Sequence, residues 1–157
     1  LLSAMSFSFN PAEKEWTKIK KSAKKIFDIN NCQFDKIEIG DRKESFFTIS
    51  SNQKKVGYLL TSNANSKYQK FDFCILYDLN LSILKVQILK YRESHGFEIC
   101  NQRWLKQFIL IETEERFEYN SKIDGISGAT ISVNSIKNEV FNLTQKLEKK
   151  FENILDL

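Results

Sequence analysis

The sequence predicts an α+β fold: one domain built on a mostly antiparallel sheet, with an amphipathic helix covering it at each end of the chain. Three observations predict it. Near the N-terminus Trp16, Ile19, Ala23 and Ile26 recur at helical spacing. Near the C-terminus Val133, Ile136, Val140, Leu143 and Leu147 repeat every three or four positions, and Phe151 and Ile154 extend the stripe. Between them the apolar residues fall into short alternating runs bounded by Gly, Asp, Asn or Ser, the two-residue period of strands. At 157 residues, 41% of them hydrophobic and 13% aromatic, the chain can bury one sizeable core and is not a disordered sequence. No internal repeat, low-complexity linker or domain boundary interrupts it.

Taken in order, residues 1–9 are apolar and small without a charge. They read either as the tail of a signal-peptide apolar region or as a disordered or core-packed N-terminal strand, and the domain itself runs over residues 10–157. Asn10 and Pro11 are expected to open the first helix, Asn as cap and Pro in the first turn. Lys18, Lys20, Lys21, Lys24 and Lys25 form its other face, either simply solvated or facing acidic headgroups or an acidic partner. Strands are expected at residues 36–39, 45–49 and 56–61, with the small polar residues 62–66 as a loop. Residues 68–77 alternate Phe71, Phe73, Ile75 and Tyr77 with Asp72, Cys74 and Leu76, turn at Asp78, Leu79 and Asn80, and return over residues 82–91. These two runs are the central antiparallel strands. Residues 93–98 form a loop and residues 101–108 a short helix with Trp104, Leu105 and Phe108 on one side. Residues 109–113 and 117–123 are two further candidate strands, the second leading to Asp124.

Composition excludes several functions. A net charge of +4 with lysines spread along the chain is not the basic stripe of a nucleic-acid binder. Cys32, Cys74 and Cys100 lie far apart with no C-x-x-C pair, and His95 is the only histidine, which argues against a zinc or haem site by local spacing. Cys74, within an apolar run, reads as a small core residue. No stretch is long enough to cross a bilayer as a helix.

The chemistry concentrates in the run Asp124, Gly125, Ile126, Ser127, Gly128, Ala129, Thr130, Ile131, Ser132, directly before the long helix. Two glycines let the backbone approach a ligand, and free N–H groups at a helix start favour an anion. The same residues also suit a plain helix start, with Thr130 or Ser132 as cap and Gly125 and Gly128 turning the chain.

This run resembles the flavinylation motif of the FMN-binding domain family, D-[GA]-x-[ST]-G-A-T-x-S, which includes the flavin-carrying subunits of the Rnf and sodium-pumping NADH:quinone oxidoreductase complexes. A second stretch is also similar to that family: Tyr91, Arg92, Glu93, Ser94, His95, Gly96, Phe97, Glu98, Ile99, followed by Trp104, Leu105, Lys106, Gln107 and Phe108. His95 stands where many members have proline, and Glu98 where they have a second glycine. The likeness spans roughly residues 54–145.

The resemblance implies that Thr130 carries FMN as a phosphoester, installed from FAD by a Mg-dependent flavin transferase. Gly125, Gly128 and Ala129 would give the transferase access to that hydroxyl. Asp124 would help hold Mg²⁺ or take the threonine proton, or else serve as an Asx-type turn partner. Ser127 and Ser132 would bond the phosphate or cap the helix, while Glu93, Ser94, His95 and Gly96 would form one side of the flavin pocket; His95 reads equally as a surface loop residue. Trp104 is core or flavin-stacking.

The implied function is an exported electron-transfer flavoprotein, periplasmic or on the outer face of the cytoplasmic membrane. Its implied partners are the transferase and donor and acceptor redox proteins, membrane-bound ones included, with no nucleic acid. Two alternatives stand beside it: a small reductase binding FMN non-covalently, which the absence of a G-x-G-x-x-G stretch weighs against, and a binding or assembly module of the same fold that is never flavinylated.

Overall fold

The computed structural model describes residues 9–38, 43–109 and 123–155. Helix α1, Glu13–Phe27, is followed by five strands, β1 Gln33–Ile37, β2 Ser45–Ser51, β3 Lys54–Asn65, β4 Lys70–Tyr77 and β5 Ile83–Lys90. A 3₁₀ turn, Phe97–Cys100, a single-turn helix α2, Gln102–Leu105, and a second 3₁₀ turn, Lys106–Phe108, lead toward the long helix α3, Thr130–Leu155.

The strands lie in sequence order, each antiparallel to the next. Every connection among them is therefore a local one, consistent with the tight turn at Asp78, whose carboxylate accepts from the Asn80 and Ser82 N–H groups at 2.8 and 2.9 Å. Alternation along the strands gives the sheet two apolar faces. The register aligns Phe46 with Leu60, Leu60 with Ile75 and Ile75 with Val86, and this row packs against Ile136, Val140, Leu143 and Leu147 of α3. The opposite face carries Phe47, Leu59, Leu76 and Leu89 and is covered by Ile19 and Trp16 of α1. The sheet is thus sandwiched between the two helices, in the arrangement their periodic stripes predict. At the edge, Glu44 and Lys146 pair and tie the start of β2 to α3.

Several boundaries differ from expectation. The first helix begins at Glu13, not at Asn10 and Pro11, because Glu15 reaches back to accept the Ala12 N–H at 3.3 Å and replaces an asparagine cap. Residues 62–65 are not a loop, and of the expected segment only Ser66 lies outside the strand. β3 continues to Asn65, with Thr61, Ser62 and Ala64 buried and in register with Cys74, Phe73 and Phe71 of β4. The two strands expected over residues 109–113 and 117–123 fall on residues 110–122, outside the described residues, as does Ile39; Ile109 and Ile123 themselves are in no strand. Residues 1–8 lie outside them too, while the Phe9 carbonyl accepts from Ser45 Oγ at 2.7 Å. No helix among the described residues is long and apolar enough to cross a membrane.

Candidate functional site

Two loops converge at one end of the sandwich. The first follows β5 and holds Glu93, Ser94, His95 and Gly96; the second precedes α3. They meet where a Cβ built on Gly96 would stand 2.9 Å from Ala129 Cβ and 2.9 Å from Tyr91 Oη, so only a glycine fits, and its φ of +82° favours one as well. A chain of hydroxyls strengthens the junction. Tyr91 Oη donates to the His95 carbonyl at 3.1 Å and lies 3.1 Å from Ser132 Oγ, which is free to donate to it in turn.

The second loop is fixed at both ends and open between them. At its start the buried Lys137 Nζ donates to the Ile123 carbonyl at 2.9 Å. Gln107 Oε1 accepts the Asp124 N–H at 2.9 Å and Trp104 Nε1 donates to the Asp124 carbonyl at 2.9 Å. The chain then turns, the Ala129 N–H donating to the Ile126 carbonyl at 3.1 Å with Gly128 at φ +81°. That left-handed third position is the glycine position of a type II turn.

Helix α3 starts immediately afterwards. The Val133 N–H donates to the Ala129 carbonyl at 2.9 Å, and a methyl side chain at Ala129 offers no cap. Thr130 is the first helical residue, not the cap, and its side chain is exposed with no hydrogen bond among the described residues. Ser132 does not cap either: it is 2% exposed and its hydroxyl faces Tyr91. Among the described residues, no side chain caps the first N–H groups of the helix, which stand beside the exposed Thr130 hydroxyl.

A cleft of about 900 Å³ lies between the loops. Nine of the eleven sequence-predicted site residues line it: Glu93, Ser94, His95, Gly96, Ser127, Gly128, Ala129, Thr130 and Ser132. Asp124 and Gly125 do not. Asp124 borders a separate hollow of about 320 Å³ with Trp104 and Gln107. Its carboxylate makes no Asx-type hydrogen bond among the described residues, so its place is set through its backbone. Trp104 packs against the core, edge-on to Phe108 at 5.7 Å, and does not reach the cleft.

Glu93 lines the cleft and at the same time engages the β3–β4 turn. Its Oε1 accepts from Ser66 Oγ at 2.7 Å and from the Tyr68 and Gln69 N–H groups at 2.6 and 3.0 Å. The Ser66 bond first, then the two backbone donors, hold its carboxyl below the usual glutamate range. Beside it Arg92 pairs with the buried Asp72 at 2.6 Å, and that hydrogen bond raises the Arg92 pKa above its ordinary value. These contacts bring Lys67 and Tyr68 to the cleft wall, which Tyr91, Glu98 and Ile131 also line. Sequence reasoning missed Lys67 and Tyr68, for which the one signal available was a large aromatic, Tyr68, beside a polar turn; Tyr91 and Ile131 stand within the family-like stretches but carry no site role there. Cys74, as expected, is a core residue, its thiol pushed up to about 12 by burial.

The cleft fits a phosphorylated tricyclic group. Its size falls within the roughly 300–1,000 Å³ of cofactor sites. An uncapped helix start suits a phosphate, and a methyl carbon placed on Gly125 or Gly128 would meet no atom within 4 Å, which leaves the approach open. Comparison with known families agrees: residues 69–145 match the FMN-binding domain. No curated protein matches the chain.

Proposed function

Residues 69–145 belong to the FMN-binding domain family, and from that premise we propose that the protein is an exported electron-transfer flavoprotein carrying FMN as a phosphoester on Thr130. The observation that carries this reading is the exposed Thr130 hydroxyl at the uncapped start of a 26-residue helix, opening onto a cleft large enough for the flavin.

In the attachment step the Thr130 oxygen forms a bond to the riboflavin-side phosphorus of FAD, the bond from that phosphorus to the AMP half breaks, AMP leaves and the threonine proton is released. Asp124, its backbone held by Trp104 and Gln107 outside the cleft, would receive that proton or meet Mg²⁺ once the loop enters a flavin transferase. The phosphodiester left behind carries one negative charge at the positive end of α3, a placement that stabilises it by about 0.3–1 kcal/mol. Bound there, FMN supplies the electron chemistry. Thr130, Ser127 and Gly128 would hold its phosphate end, and Ser94, His95 and Gly96 shape the cleft. Redox donor and acceptor proteins would meet the open side of the cleft, on the outer side of the cytoplasmic membrane.

Co-expression with a flavin transferase, followed by denaturing electrophoresis, tests the proposal. Flavin fluorescence is expected to stay with the protein band, to vanish in Thr130→Ala and to persist in Thr130→Ser. Flavin released on denaturation would overturn the covalent bond in favour of non-covalent binding.

A further inference from the structure

We propose that Tyr68, at the turn between β3 and β4, is the stacking face for the flavin ring, an inference that rests on the cleft being the FMN site. Lys67 and Tyr68 lie just outside the family-matched segment 69–145. Tyr68 is 78% exposed, the largest exposure among the large hydrophobic side chains of the described residues, yet its backbone is fixed. Glu93 accepts its N–H at 2.6 Å and that of Gln69 at 3.0 Å, and Gln69 Nε2 donates to the Arg92 carbonyl at 3.3 Å. An aromatic ring held on a pinned turn at the wall of a cleft is left with a large unburied apolar area that the fold itself does not use.

The other aromatic at the cleft is already committed. Tyr91 spends its hydroxyl on His95 and Ser132, and its ring packs against Phe71 and Phe97 at 5.8 and 5.6 Å. Tyr68 makes no aromatic contact among the described residues. Lys67 Nζ sits 5.1 Å from its ring centroid in a cation–π contact, and at 78% exposure most of the ring remains uncovered. A planar tricyclic ring is the ligand shape that covers such a face, and the half-exposed Ile131 lines the same cleft as an apolar neighbour.

The test compares the parent protein, Tyr68→Ala and Tyr68→Trp, each prepared with flavin transferase and also without it. Since the side chain is exposed, neither substitution disturbs the core. Tyrosine in contact with an excited flavin quenches it by electron transfer, so the native flavin emission of Tyr68→Ala is expected to rise several-fold per bound flavin, with Tyr68→Trp remaining dark. Flavin retained on the denatured band should be equal in all three. The transferase-free Tyr68→Ala protein is expected to bind added FMN roughly two- to tenfold more weakly than the parent, the worth of one aromatic stack. Native emission and FMN affinity unchanged in Tyr68→Ala would overturn the stacking role while leaving attachment at Thr130 intact. A parent protein that neither retains flavin after denaturation nor takes up added FMN would overturn both.

Discussion

Tyr91 Oη lies 3.1 Å from Ser132 Oγ, and through this contact the loop after β5 is fastened to the first turn of α3. Ser132 is almost fully buried, so its hydroxyl depends on that partner. Tyr91→Phe removes the contact and also the bond to the His95 carbonyl. We expect it to cost about 1–2 kcal/mol, since a buried hydroxyl loses its partner. Thermal denaturation should show the loss as a fall of about 2–4 °C per kcal/mol in a chain of this length. An unchanged midpoint would show that the junction is held by packing alone.

The three glycines of the two loops are not equivalent. Gly96→Ala sets a methyl 2.9 Å from Ala129 Cβ at a φ of +82°, and is expected to destabilise the protein by about 1–3 kcal/mol. Gly128→Ala meets no neighbour but keeps the left-handed φ, for about 1–2 kcal/mol. Gly125→Ala meets neither obstacle and should be close to neutral. Chemical denaturation of the three variants orders them, and a Gly125→Ala as damaging as Gly96→Ala would contradict the open loop.

Glu93 gives the β3–β4 turn a pH dependence. Its carboxyl is held below its unfolded value by Ser66 Oγ and the Tyr68 and Gln69 N–H groups. A depressed folded pKa means that the contribution is complete above the unfolded glutamate pKa and disappears as pH falls through the folded one. Amide exchange at Tyr68 and Gln69 should therefore lose protection in acid below the ordinary glutamate range. Glu93→Gln should show weak protection at every pH.

Thr61 Oγ1 and Ser62 Oγ are buried in β3 and make no hydrogen bond among the described residues. A buried hydroxyl without a partner is a cost, and removing it at constant shape relieves that cost. Thr61→Val and Ser62→Ala are each expected to stabilise the protein by about 1 kcal/mol in urea unfolding. A loss in both would show that the two hydroxyls are satisfied in solution.

The two helices and the central strands were legible because their signals are local. Ile19 and Ala23, or Ile136 and Val140, fall on one helical face whatever surrounds them, and Phe71, Phe73, Ile75 and Tyr77 alternate whether or not a partner strand is known. Ser62 and Ala64 misled because their burial is decided by β4 beside them, not by their own polarity. In the site, the motif from Asp124 to Ser132 was visible as composition, and so was the loop from Glu93 to Gly96. What could not be read was the direction of each side chain. Glu93 turns to the neighbouring strand pair and brings Tyr68 to the cleft through contacts about 25 residues apart in the chain. Trp104 and Gln107 act on Asp124 from 20 and 17 positions away.

Both apolar clusters draw on strands and helices, and from the run between Asp124 and Gly128 they take only a part of Ile126. The apolar core of the described residues is therefore built almost without the loop that would carry the flavin. Under the proposed attachment at Thr130, maturation would be a separate event, timed by the supply of the modifying enzyme and its donor. Cells holding such a protein would keep a reserve of folded, colourless copies that can be switched into redox service without new synthesis.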